Sequence, residues 1–192
     1  MDIERIKSYV DARGGVARGN LYYVKLPFLP NIIYEDELDV LCTSVNMPGR
    51  QILTTERLIG IKGIKMPTGF ASDDVSMTFL LTNTYSIKDY FEQWQQLVVN
   101  QDTFEIGYPD EYGYDVVIRQ LKKRPGFKSL FSGFGRGGPQ AGAITSRDIV
   151  YACKLKKAFP TTMSAVELSN DNEGLMQLTV QMSYRNWEQV PF

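Results

Sequence analysis

Histidine is absent from all 192 residues of the chain. That removes the commonest general base and the commonest metal ligand, so no Ser-His or Cys-His nucleophile can be built. Cysteine is nearly as scarce. Cys42 and Cys153 lie far apart, each in an apolar, strand-like run. They form a disulfide or remain as buried free thiols, and free thiols are expected in a reducing compartment. No apolar run approaches the roughly 18–20 residues that span a bilayer. Residues Met1 to Arg5 carry both charge signs and no apolar stretch of the kind a signal peptide has. Synthesis in the cytoplasm and no membrane partner are therefore expected. Net charge is nearly missing as well: 21 Lys and Arg against 22 Asp and Glu leave −1. No global polyelectrolyte character favours nucleic acid.

What charge there is lies unevenly. Residues 119–157 hold ten basic side chains and one acid, Asp148, whereas residues 101–116 hold five acids and no base. Two solvated faces account for this, as does charge-complementary contact between subunits. With 43% hydrophobic residues and 12% aromatics, the chain has enough for one well-cored domain.

Hydrophobic periodicity predicts mostly strands. Ile3, Ile6, Tyr9 and Val10 have helical spacing over residues 2–13 and end at Gly14 and Gly15. Strand-like runs follow over 20–28 and 40–47. Residues 51–66 read as a projecting hairpin of two apolar pieces, 52–59 and 61–66, around Gly60 and Gly63. Val75, Met77, Phe79 and Leu81 alternate with polar residues over 74–82. Ile87, Tyr90, Phe91, Trp94, Leu97 and Val98 form one stripe of a long helix over 86–100, with Ser86 as its expected N-cap. Further strands are expected over 103–108, 114–122, 149–156 and 176–184. This count implies two antiparallel sheets and a single long helix. No repeat of 20–50 residues is present.

Residues 125–147 break the pattern. Six glycines are interleaved there with Phe127, Leu130, Phe131 and Phe134. Gly133 to Gly138 lacks the Gly-Lys-Ser/Thr ending and the strand-to-helix frame of a phosphate-binding loop. A surface or intersubunit loop is the expectation, and stacking of bases between Phe131 and Phe134 the sharper alternative. Asp110, Glu111 and Asp115 lack calcium-loop spacing, so turn chemistry and salt bridges are expected of them. Trp94 belongs to the helical core stripe. Trp187 is a candidate subunit contact. Ile52, Leu53, Leu58, Ile59, Ile61 and Ile64 are too many apolar side chains for one hairpin to leave in water. With Ile3, Ile6 and Trp187, they make the candidate interface between subunits or rings. No catalytic residue, cofactor or metal ligand set is expected.

Several short motifs occur in a telling order: 41–50, 74–79, 90–94, 110–112, 115–118, 158–160, 166–169 and 183–187. Together they resemble the tail tube protein of contractile-tailed, T4-like bacteriophages over residues 20–124 and 148–188. The 125–147 segment reads as an insertion in that pattern. The resemblance implies a single domain, a β-sandwich or small barrel of two packed antiparallel sheets. One long helix flanks it, and a short N-terminal helix precedes it. It also implies a homo-hexameric ring stacked into a hollow tube, with the inner sheets of six subunits joined around the channel. The implied partners are the sheath protein, the baseplate tube initiator, the tape-measure protein and the tail terminator. DNA would transit the lumen of the virion's tail without specific binding. A baseplate tube initiator or a tail terminator of the same fold is the alternative within the family. A nucleic-acid-binding protein using residues 119–157 is the alternative from another class.

Overall fold

The computed structural model describes residues 3–13, 15–30, 38–122, 149–166, 168 and 174–191. The expected insertion at 125–147 lies outside them. The elements in chain order begin with helix α1 (Ile3–Ala12), β1 (Tyr22–Lys25), a 3₁₀ turn (Leu38–Leu41) and β2 (Cys42–Val45). The hairpin strands β3 (Gln51–Ile59) and β4 (Lys62–Ala71) follow, then β5 (Val75–Leu80), α2 (Ser86–Val98) and the short α3 (Pro109–Tyr112). The chain closes with β6 (Tyr114–Leu121), β7 (Ile149–Met163), β8 (Gln177–Ser183) and β9 (Asn186–Gln189). The protein is thus mainly β, and all its described strand pairs are antiparallel.

One sheet runs in the order β1-β6-β7-β8-β5-β2 with β9 also on β7, and β3-β4 form a separate two-stranded sheet. The larger sheet folds over at β7. Residues 149–158 of that strand pair with β6, and residues 159–163 pair with β8. The two wings, β1-β6-β7-β9 and β7-β8-β5-β2, close on one core. Val24, Val116, Ile118 and Leu155 come from the first wing, and Val75, Met77, Phe79, Leu178 and Val180 from the second. The two layers expected from the sequence are therefore two halves of one continuous sheet.

The fold-over has a local cause. Lys157 takes φ 52°, the left-handed region that side chains rarely adopt. Its N–H donates to the Asp115 carboxylate (3.1 Å) and its ammonium to Asp110 (2.8 Å). Gly113 faces it, and a Cβ there would come within 2.6 Å of the Pro109 carbonyl and 3.1 Å of the Lys157 side chain. Two carboxylates and one bare glycine thus hold the bend.

Helix α2 bridges the two wings through the stripe read from the sequence. Ile87, Tyr90, Phe91 and Trp94 are buried. Phe91 meets Phe79 at 5.2 Å between ring centres, and Trp94 meets Tyr114 at 6.2 Å. Trp94 Nε1 donates to the Tyr112 carbonyl (2.8 Å), and the Tyr90 hydroxyl donates to the Pro27 carbonyl (2.6 Å). Both polar tips are therefore satisfied inside the core.

Several boundaries differ from expectation, each for a physical reason. Tyr85 rather than Ser86 occupies the cap of α2, in the left-handed region at φ 54° with no side-chain cap bond. The helix stops at Val98 because Val99 turns extended and bridges Ile106. Residues 103–108 form no strand. Asn100 Oδ1 accepts the N–H groups of Asp102 and Thr103, an Asx turn that takes the backbone out of register for pairing. The strand expected at 40–47 is shortened at its start. Asp39, only 5% exposed, accepts the Leu26 N–H (2.8 Å) and the Tyr23 hydroxyl (2.6 Å), and these bonds hold a 3₁₀ turn. Conversely, β4 runs past Pro67 to Ala71 and β7 past Lys156 to Met163. Proline is tolerated where its missing N–H faces an unpaired edge. Pro67 in β4 fits that rule, beside a register shift between Leu53 and Thr54 in β3.

Candidate functional site

Hairpin β3-β4 stands apart from the core: every described side chain of β3, and all of β4 except Ala71, is exposed. Its register puts Ile52 opposite Phe70 and Leu58 opposite Gly63 on one face, with Thr55 opposite Met66 and Arg57 opposite Ile64 on the other. Apolar side chains therefore project from both faces. Leu58 is 74% exposed and Ile61, at the turn, fully so. Ile52, Leu53 and Ile64 are exposed as well; the side chain of Ile59 lies outside the described set. A lone two-stranded hairpin is at best marginally stable in water. Gly60 at φ 67° closes its turn in the conformation glycine favours. Met66 and Phe70 join this surface although the sequence reading stopped the strand at Met66. Periodicity carried no signal for Phe70, because Thr68 and Gly69 interrupt the alternation and the register shift turns Phe70 to the face opposite Met66.

Helix α1 carries Ile3, Ile6 and Tyr9 on an exposed face, and none of its residues is buried. Arg13 covers the Tyr9 ring at 4.4 Å. Trp187 is placed differently from these. It lies in β9 opposite Leu155 and packs half-buried against the core. Its Nε1 donates to the Gly49 carbonyl at 3.2 Å, and the Arg50 guanidinium lies 4.9 Å from its ring centre.

The two wings present different outer faces. The segments that build β2, β5, β8 and residues 159–163 contain no charged residue at all. Ser76 stands opposite Gln181, and the Thr78 hydroxyl lies 3.3 Å from that of Thr179. The other wing carries Lys25, Asp115, Arg119, Lys154, Lys156 and Glu188. Lys154 pairs with Asp115 (2.7 Å), Lys156 with Glu188 (2.6 Å) and Lys157 with Asp110 (2.8 Å). Three cations of the basic segment are thus neutralised by carboxylates, and two of those carboxylates come from the acidic stretch. Burial pushes the Asp115 carboxyl up, but the Lys154 hydrogen bond, the Lys157 N–H and both lysine charges outweigh it and hold it below its ordinary value. The Lys157 hydrogen bond and charge lower Asp110 likewise. Glu111 accepts the Tyr108 N–H, so none of the three acids is set aside for a cation.

Both cysteines are free thiols. Burial pushes Cys42 up to about 12 and Cys153 up to about 11, the reverse of an activated nucleophile. Among the described residues no three His, Cys, Asp or Glu side chains gather as a metal site. One cleft of about 240 Å³ lies between Asp110, Tyr112, Lys157, Phe159 and Arg185. It is smaller than the roughly 300–1,000 Å³ of ordinary ligand pockets. No helix among the described residues is long and apolar enough to cross a membrane.

The model of the phage tail tube protein family matches residues 17–190. The chain belongs to that family. The match takes in every element except α1. In fold the chain is similar to one in the structure of the anti-feeding prophage cap, with TM-score 0.62, 13% identity and 92% of each chain covered. It is also similar to a chain of the anti-feeding prophage baseplate, with TM-score 0.59, 11% identity, and 91% of this chain and 95% of that one covered. A third likeness is to a chain in the sheath-tube complex of an extracellular contractile injection system in the extended state. There the TM-score is 0.58 at 12% identity, with 100% of this chain and 99% of that one covered. No curated protein sequence matches the chain.

Proposed function

We propose that this tail tube protein forms hexameric rings that stack into the inner tube of a contractile phage tail, the conduit for DNA ejection. The observation that carries the reading is hairpin β3-β4, which displays apolar side chains on both faces and packs neither against the subunit's own core. Apolar groups on both sides of a thin two-stranded arm suit insertion between two neighbours, which covers both faces at once. Ile52, Leu53, Leu58, Ile59, Ile61 and Ile64 make the contact, joined by Met66 and Phe70. Helix α1 adds Ile3 and Ile6 as a second contact that becomes packed only on assembly.

The sheet edges of neighbouring subunits pair around the ring, which removes the aggregation hazard of open edges. The uncharged wing then faces the channel. Ser76, Thr78, Gln177 and Gln181 offer water-like hydrogen bonding without the cations that would retain a polyphosphate. The ion-paired wing faces outward, toward the sheath. Residues 1–192 act as one domain in this reading, with 125–147 as a loop between neighbours and no catalytic role anywhere. The chain is made in the host cytoplasm and resides in the virion. Its partners are its own copies, the sheath, the baseplate initiator, the tape-measure protein and the terminator.

Electron microscopy of the purified protein tests the reading. Rings or tubes are expected, and a protein that stays monomeric at high concentration and after seeding with baseplates overturns it. Copy number per particle separates a tube protein, present in many rings, from an initiator or terminator, present in one.

A further inference from the structure

The hairpin that this reading makes the assembly arm touches its own subunit at its roots, and both roots are held by one short stretch of chain. On the entry side, the Arg50 guanidinium lies between the Trp187 ring (4.9 Å) and the Phe70 ring (5.6 Å). Arg50 Nη2 also donates to the Trp187 carbonyl (3.4 Å), and Trp187 Nε1 donates back to the Gly49 carbonyl (3.2 Å). On the exit side, the Tyr184 hydroxyl donates to the Asp73 carbonyl (2.9 Å). Trp187 is itself fixed, since β9 pairs with β7 in the middle of the folded sheet.

We propose that Arg50, Trp187 and Tyr184 form a clamp that sets the angle at which hairpin β3-β4 leaves the body, and that this preset angle is what lets subunits assemble. The inference rests on the hairpin being the assembly arm. Geometry gives the reason for a clamp. Strands of nine and ten residues at about 3.3 Å per residue make an arm of about 30 Å, so a swing of about 10° at the root displaces the tip by about 5 Å. That is a whole side chain out of register with a neighbouring surface. A preset angle also removes the ordering cost from the moment of association. Arginine suits the position because its planar guanidinium stacks on two rings while donating a hydrogen bond. Trp187 is thus a positioning residue for the arm.

The test uses full-length chains with Arg50→Ala, Arg50→Lys and Trp187→Leu, read in two ways. Hydrogen exchange of the unassembled subunit is expected to show amides of 51–59 and 62–71 exchanging at least about tenfold faster in all three. Amides of 75–80 and 114–121 should keep their parental rates. The concentration needed for assembly is expected to rise about tenfold or more, and Arg50→Lys should rescue little, because lysine keeps the charge but not the plate. Parental hairpin exchange in the variants overturns the clamp. A loosened hairpin with unchanged assembly overturns its role in assembly. Rescue by Arg50→Lys reduces the clamp to simple charge and also overturns it. A parent that never assembles overturns the tube reading instead, while the exchange arm still decides whether the clamp exists.

Discussion

Trp94 shows how one residue ties the core together, because its indole meets Tyr114 of the sheet edge-on while its N–H closes onto the Tyr112 carbonyl. Trp94→Ala should cost about 3–5 kcal/mol, read from the shift of a denaturant unfolding curve. A cost below about 1 kcal/mol would mean that the stripe is not core. The paired carboxylates make a second residue-level prediction. Asp110 and Asp115 titrate below their ordinary value of 3.8 in the fold. Their contribution is therefore fully present above that value and is lost as pH falls through the lowered folded ones. Asp110→Asn with Asp115→Asn should lower stability at neutral pH and flatten the acid limb of the stability profile. An acid limb identical to the parent's would show that the ion pairs contribute nothing. The thiols should behave as inert groups. At pH 8 Cys42 and Cys153 should alkylate slowly in the folded protein and quickly in denaturant, as read by mass spectrometry.

At the scale of the element, the hairpin and the core strands obey opposite rules. Val75, Met77 and Phe79 in β5 alternate with polar residues and bury one face, which pins the register. In β3 and β4 apolar residues fall on both faces, and both faces are left exposed among the described residues. Leu58→Glu together with Ile61→Glu should leave a cooperatively folded monomer with its unfolding midpoint nearly unchanged, because neither residue touches the core. Tubes should be lost. Normal tube length from this variant, measured by electron microscopy, would place the contact elsewhere. The bend of β7 makes the contrary case. Gly113→Ala pushes a methyl into the Pro109 carbonyl and the Lys157 side chain, so it should destabilise the fold itself, by about 1–3 kcal/mol.

For the whole molecule, the decisive contrast is between an uncharged wing and an ion-paired one. Gln181→Cys in assembled tubes should react with small maleimides but stay hidden from a protein-sized thiol probe. Glu188→Cys, on the other wing, should react with both. The reverse pattern would turn the ion-paired wing inward and revive a role for residues 119–157 in holding DNA. Salt dependence gives an independent check, since a channel that does not grip phosphate should show no steep loss of DNA affinity with added salt.

Composition and spacing by themselves determined a good part of this protein. Period-two alternation marks β5 and β8, period-3.6 spacing marks α2, and the two apolar pieces around Gly60 and Gly63 mark the β3-β4 hairpin. These are local signals: a side chain's face depends on its immediate neighbours in sequence, so periodicity is enough to read it. The resemblance to tail tube proteins, now matched over residues 17–190, was likewise carried by ordered local motifs. Tertiary structure alone decided the rest. That β7 serves both wings depends on Lys157 meeting Asp110 and Asp115, partners 47 and 42 residues away. Asp39 turns inward only because Tyr23 and the Leu26 N–H await it. Trp187 meets Arg50, at the root of the hairpin and 137 residues earlier in the chain. Each of these is a polar bond between distant segments, and its energy exists only once the core has brought them together. Periodicity carries no trace of such bonds, which is why nothing in the sequence pairs Trp187 with Arg50.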